Sequence, residues 1–178
     1  VILATSQFFF VSGAVNLHLV PYLNDQGISL GMAAFSLTVL SIAGGVGSIL
    51  WGLIAEKIFI RWTLTLAFLI SGVAVFGLLF VHSLTLAILF AIAYGLSYGG
   101  LVALNPVVFA DYFGRANLGA IRGLSNPFQL AANSTGFLFA AAVYDINHSY
   151  DVAFIVLSIA YISAGGWMLL AQPPRRVK

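Results

Sequence analysis

The chain is 178 residues long, 61% hydrophobic and only 7% charged, with a mean hydropathy of +1.06, whereas an ordinary soluble domain carries about a quarter charged residues. That composition excludes a water-soluble globule and makes lipid the main solvent. The absence of cysteine excludes disulfides, thiolate metal sites and cysteine nucleophiles, and a net charge of +2 is uninformative until the charges are placed along the chain.

A helix needs about 20 apolar residues to cross the hydrocarbon core. Runs of that kind are predicted at Ile2–Leu23, Leu30–Ala55, Trp62–Val81, Leu84–Phe109, Leu118–Tyr144 and Val152–Ala171. None alternates with the two-residue period of a spanning strand, so the expected fold class is an all-α membrane protein. The breaks, Asn24–Ser29, Glu56–Arg61, His82–Ser83, Asp111–Asn117 and Asp145–Asp151, are too short to fold alone. One six-helix transmembrane domain over 1–178 is therefore expected, with its function inside the membrane. The chain opens at Val1 rather than Met, and its first apolar run lacks the charged flank of a leader; a segment of a longer protein is expected.

In the first span Gln7 and His18 share a face about three turns apart, and Asn16 points the other way. His18 is a candidate for proton coupling or substrate contact, or else a hydrogen-bonded packing residue. The second span repeats small residues at Gly44, Ser48 and Gly52, which lets backbones approach closely. The third has no polar stripe. In the fourth, Tyr94, Tyr98 and Asn105 align, and Gly95, Gly99 and Ala103 repeat the small-residue spacing. The fifth carries the strongest stripe, Arg122, Asn126, Gln129 and Asn133, continued by Tyr144. The sixth has nothing comparable. Pro21, Pro106 and Pro127 each free a backbone carbonyl and can bend their helices.

Amides and phenols facing lipid lack partners at a cost of several kcal/mol each by the hydrocarbon measure, so these faces must meet protein or water. Gln7, His18, Tyr94, Tyr98, Asn105, Asn126, Gln129 and Asn133 are accordingly expected to line an aqueous substrate cavity, with the third and sixth helices outermost against lipid. The plainer alternative is that they bond neighbouring helices, at about 1 kcal/mol per contact.

The string Gly95-Leu96-Ser97-Tyr98-Gly99 formally matches a hydrolase elbow, and an intramembrane serine protease is an alternative reading, but an elbow needs a strand-to-helix turn and such a protease needs a histidine on a facing helix. His82 and His148 fall in loops, so no catalytic residue, metal site or cofactor is expected. The bases sort to one side: Lys57 and Arg61, then Arg115 and Arg122, then Arg175, Arg176 and Lys178. By the positive-inside rule that side is cytoplasmic, which places both ends in the cytoplasm of a cell whose plasma or inner membrane is spanned. The terminal bases are expected to anchor the chain on anionic lipid, not nucleic acid.

The stretch Gly52-Leu53-Ile54-Ala55-Glu56-Lys57-Ile58-Phe59-Ile60-Arg61 resembles the signature loop of the major facilitator superfamily in its C-terminal copy. Gly52, Ala55, Glu56, Lys57 and Arg61 take the family's places, and Phe59 or a neighbour stands where the family has a central glycine. Asn16–Leu23 with Asp25 and Gly27, and Ala110–Arg115 with Asn117, Gly119 and Ile121, are similar to the monocarboxylate-porter and oxalate/formate-antiporter branch.

The resemblance implies helices seven to twelve of a twelve-helix secondary transporter, built as a 3+3 inverted repeat and completed by an N-terminal half. Its implied partners are the lipid bilayer, a small solute such as a monocarboxylate, and a coupling proton or counter-substrate. It also implies a conformational latch at Gly52, Glu56, Lys57, Arg61, Asp111 and Arg115, where an acid at a helix end and nearby bases hold two helices in one state. One departure stands out. Organic-anion carriers of this branch place a cation in the eighth or eleventh helix, but no Arg or Lys lies between Leu30 and Ala55, and Arg122 sits near a helix end. A non-transporting membrane scaffold or receptor stays open as an alternative.

Overall fold

The computed structural model describes residues 1–172. Its long helices are α1 (Ile2–Asp25), α2 (Leu30–Lys57), α3 (Ile60–Gly77), α4 (Leu84–Phe113), α5 (Leu118–Asn147) and α6 (Asp151–Leu170), and no strand occurs among the described residues. Short 3-10 turns follow α3 at Leu78–Phe80 and precede α5 at Arg115–Asn117. The helices run through Pro21, Pro106 and Pro127. All but α5 are long and apolar enough to cross a membrane. With 30 residues α5 has the length, but its polar stripe dilutes its apolar character.

The main pairings are α2 with α4, α1 with α5 and α3 with α6, followed by α3 with α4 and α1 with α6. Exchanging α1 with α4, α2 with α5 and α3 with α6 maps this set onto itself. The pattern is that of an inverted three-plus-three repeat. The related seams also share their closest approaches: a Cβ added to Gly99 of α4 would strike the Gly44 carbonyl of α2, and one added to Gly136 of α5 would strike the Phe10 carbonyl of α1. In lipid, apolar burial does little to drive helices together, so close packing of this kind and interhelical hydrogen bonds carry the association.

One expectation needs correction. The sequence places the third and sixth helices outermost, yet the most apolar stretch of α3 is 50% buried and that of α6 44%, against 28% for α2. Isolated hydroxyls hold their seam. Thr65 Oγ1 donates to Gly165 O at 3.3 Å and Ser158 Oγ to Gly72 O at 2.8 Å, while Ser71 Oγ donates to Ser97 Oγ at 2.9 Å across α3 and α4. Single hydroxyls spread through an apolar run make no visible stripe, and each finds a backbone or hydroxyl acceptor on a neighbour.

Candidate functional site

Several of the residues expected at a cavity are engaged between helices. Gln129 Nε2 donates to Thr5 Oγ1 at 3.1 Å and Asn133 Nδ2 to Phe9 O at 3.2 Å, joining α5 to α1. Gln7 Nε2 donates to Ser163 Oγ of α6 at 3.0 Å. The Tyr94 and Tyr161 hydroxyls meet at 3.0 Å with both rings fully buried, so Tyr94 lines no open space. Asn105 is buried on α4, and its Oδ1, like Gln7 Oε1, has no hydrogen-bond partner among the described residues.

His18 is likewise held inside the bundle. Its Nε2 lies 3.0 Å from Phe137 O and its Nδ1 3.2 Å from Tyr150 OH. A carbonyl only accepts, so Nε2 carries the proton and Nδ1 accepts from the Tyr150 hydroxyl. Tyr150 stands in the turn before α6, outside the spans, and stacks on Tyr144 with ring centres 4.4 Å apart. Burial first, and then the neighbouring Asp25, Tyr144 and Asp145, push the Tyr150 hydroxyl above its ordinary range. It therefore stays protonated and available as the donor His18 requires.

Open space lies elsewhere. A groove of about 430 Å³ runs between α1, α2 and α4, lined by Asn16, Ser41, Gly44, Ser48 and Tyr98 among others. Asn16 Nδ2 donates to Tyr98 OH at 3.5 Å. The Ser41 hydroxyl donates to Leu37 O, and that of Ser48 reaches the Gly44 and Gly99 carbonyls, each at 3.0 Å. The groove thus offers amide and phenol groups on an apolar wall, and no cation. Sequence reasoning missed Asn16 because it lies opposite Gln7 and His18 on α1. That opposition was itself the signal, since the face shared by Gln7 and His18 is filled by α5 and α6.

A second groove of about 690 Å³ follows α5 against α1, lined by Phe9, Asn126, Pro127, Gln129 and Asn133. Of the residues expected at a cavity, Tyr98, Asn126, Gln129 and Asn133 border these grooves, whereas Gln7, His18, Tyr94 and Asn105 border neither.

At the end that bears the bases, Glu56, Lys57, Phe59 and Asp111 line a depression of about 340 Å³ between the α2–α3 turn and α4. Phe59, Ile60, Arg61, Asp111 and Tyr112 line a smaller one of about 210 Å³. Tyr112 OH donates to Ala171 O at 2.7 Å, tying α4 to the chain beyond α6. Glu56, Lys57, Arg61 and Asp111 thus gather at one end of the bundle, while Gly52 and Arg115 border neither depression. Arg175, Arg176 and Lys178 lie outside the described residues. The opposite end carries Asp25, Asp145 and Asp151 and, among the described residues, no Lys or Arg. Ser97 sits inside α4 and donates to the Ala93 and Tyr94 carbonyls, so the strand-to-helix turn of a hydrolase elbow does not exist here.

Comparison with known proteins adds relatives to this geometry. Monocarboxylate transporter 12 of Xenopus laevis is 30% identical over 190 residues, covering 100% of this chain and 40% of the relative. Monocarboxylate transporter 12 of Homo sapiens is 25% identical, covering 100% of this chain and 36% of its own length. Monocarboxylate transporter 2 of Homo sapiens is 24% identical over 158 residues, covering 86% of this chain and 33% of the relative. The chain therefore spans well under half the length of these curated relatives. The family model described as Major Facilitator Superfamily matches residues 1–178. A bundle of apolar spans with inverted-repeat packing, matched by that model along its whole length, is a multi-pass membrane protein, and the chain belongs to the Major Facilitator Superfamily.

Proposed function

We propose that the protein containing this chain is a secondary transporter that moves a small monocarboxylate by alternating access, and that this chain supplies its C-terminal six helices. The observation that carries the reading is the groove between α1, α2 and α4. Asn16 and Tyr98 open onto it with hydrogen-bonding capacity to spare, in helices otherwise built for lipid. Such groups cost several kcal/mol each if they face hydrocarbon, so the groove fits a face turned toward a water-filled passage and an N-terminal half. The likeness to proteins named monocarboxylate transporters supports the substrate class.

In this reading Asn16 and Tyr98 orient the solute through neutral hydrogen bonds. The groove holds no Lys or Arg, so the carboxylate's charge is met from outside it, by Arg122 or by the other half. Glu56, Lys57, Arg61 and Asp111 act at the cytoplasmic end, where changes in their contacts bias which side is open. A coupling proton or counter-substrate drives accumulation.

The test is uptake of a radiolabelled monocarboxylate by the full-length protein in proteoliposomes. Asn16→Leu and Tyr98→Phe should each lower kcat/KM about tenfold, the equivalent of one or two lost hydrogen bonds. Uptake no faster than in protein-free vesicles, across a panel of short monocarboxylates, would remove the substrate class. Full uptake by both variants would remove the groove.

A further inference from the structure

The turn between α2 and α3, with the helix ends that flank it, exposes apolar side chains where a polar loop would be ordinary. Phe59 shows 78% of its surface, Ile58 48% and Trp62 49%. Two bases stand among them. Lys57 is exposed, and the Arg61 guanidinium lies over the Trp62 ring, 5.2 Å from its centre. Two acids, Glu56 and Asp111, line the depressions with them.

The stack fixes Arg61 at the head of an apolar face on α3. That face continues from Trp62 through Leu66, Ile70 and Val73, all exposed. Beside it lies the depression of about 210 Å³ that Arg61 shares with Phe59, Ile60, Asp111 and Tyr112. The start of α3 adds a third element, because the first intrahelical bonds are those of Trp62 and Thr63 N–H to Phe59 O. The N–H groups of Ile60 and Arg61 therefore have no intrahelical acceptor and carry the positive end of the helix dipole.

We propose that this turn binds an anionic phospholipid. The phosphate sits between Lys57, Arg61 and the start of α3, Phe59 inserts among the headgroups, and an acyl chain lies along the Trp62–Val73 face. A soluble phosphate would account for the bases but not for three exposed apolar side chains beside them. A lipid accounts for both, because an interfacial anchor pairs bases with aromatic and aliphatic groups. The inference rests on the membrane placement of the chain and is independent of which solute is carried.

The test is native mass spectrometry of the full-length protein, released from detergent holding equal amounts of palmitoyl-oleoyl phosphatidylglycerol and phosphatidylcholine. The wild type should retain phosphatidylglycerol preferentially. Lys57→Gln and Arg61→Gln should each lower the retained ratio about fivefold, as expected for one base near an anionic headgroup. Arg61→Lys should keep most of the preference, which separates lost charge from misfolding. Phe59→Gly should reduce retention of both lipids. Arg115→Gln, a base at the same end but outside the depression, should leave the retained lipid ratio unchanged. The proposal is overturned by equal retention of the two lipids in the wild type, or by an unchanged ratio in both glutamine variants. A loss in Arg115→Gln as large as in Arg61→Gln, or displacement of the lipid by inorganic phosphate, also overturns it.

Discussion

The Tyr150 hydroxyl donates to His18 Nδ1 at 3.2 Å, and the ring accepts because its other nitrogen is committed to the Phe137 carbonyl at 3.0 Å. Three elements, α1, α5 and the turn before α6, are locked by one imidazole tautomer. If that bond stabilises the bundle, Tyr150→Phe and His18→Ala should each lower thermal stability in detergent. Their effects should be less than additive, with a coupling of about 0.6–2 kcal/mol, the range of interhelical hydrogen bonds in membranes. Strict additivity would mean that the two side chains only pack.

Helix approach supplies the second prediction. Gly99→Ala would drive a methyl group into the Gly44 carbonyl, with backbone on both sides and no flexible side chain to yield. Gly45→Ala, one residue along α2, meets nothing within 4 Å. The first should cost about 1–3 kcal/mol and reduce the yield of folded protein, whereas the second should stay within about 0.5 kcal/mol. Size-exclusion chromatography with thermal melting reads both. Equal melting temperatures would contradict the close approach of α2 and α4.

Accessibility separates grooves from seams. In the full-length protein, single cysteines at Asn16, Tyr98 and Asn126 should react with a small polar thiol reagent, and substrate should protect the first two. Cysteines at Tyr94, fully buried, and at Ile159, 60% exposed on α6, should react slowly, because protein shields one and lipid the other. Labelling at Ile159 as fast as at Asn16 would mean that the α1–α2–α4 groove faces lipid.

Much of the fold was legible because a membrane span declares itself by length and apolar content alone. The boundaries moved where chemistry and helicity part ways. Leu84–Phe109 becomes Leu84–Phe113 because Asp111 does not interrupt a backbone that bonds to itself, and α2 runs on through Glu56 and Lys57 for the same reason. What helical spacing could not tell is which neighbour each face meets. Gln7 and His18 share a face of α1, but that face is covered by α5 and α6, while Asn16, opposite them, borders the open groove. Spacing orders residues around one helix; only packing decides which side is left open.

The polar stripe of α5 bears on how the protein is made. A helix carrying Arg122, Asn126, Gln129 and Asn133 leaves the insertion channel less readily than its neighbours, since each polar group at depth raises the cost of entering lipid. The groups that receive it, Thr5 and the Phe9 carbonyl, belong to α1. Because α1 is synthesised more than ninety residues earlier, it already stands in the bilayer when α5 emerges. The order of elements along the chain thus delivers the acceptor before the donor, and the least lipid-compatible helix enters a membrane that already holds its template.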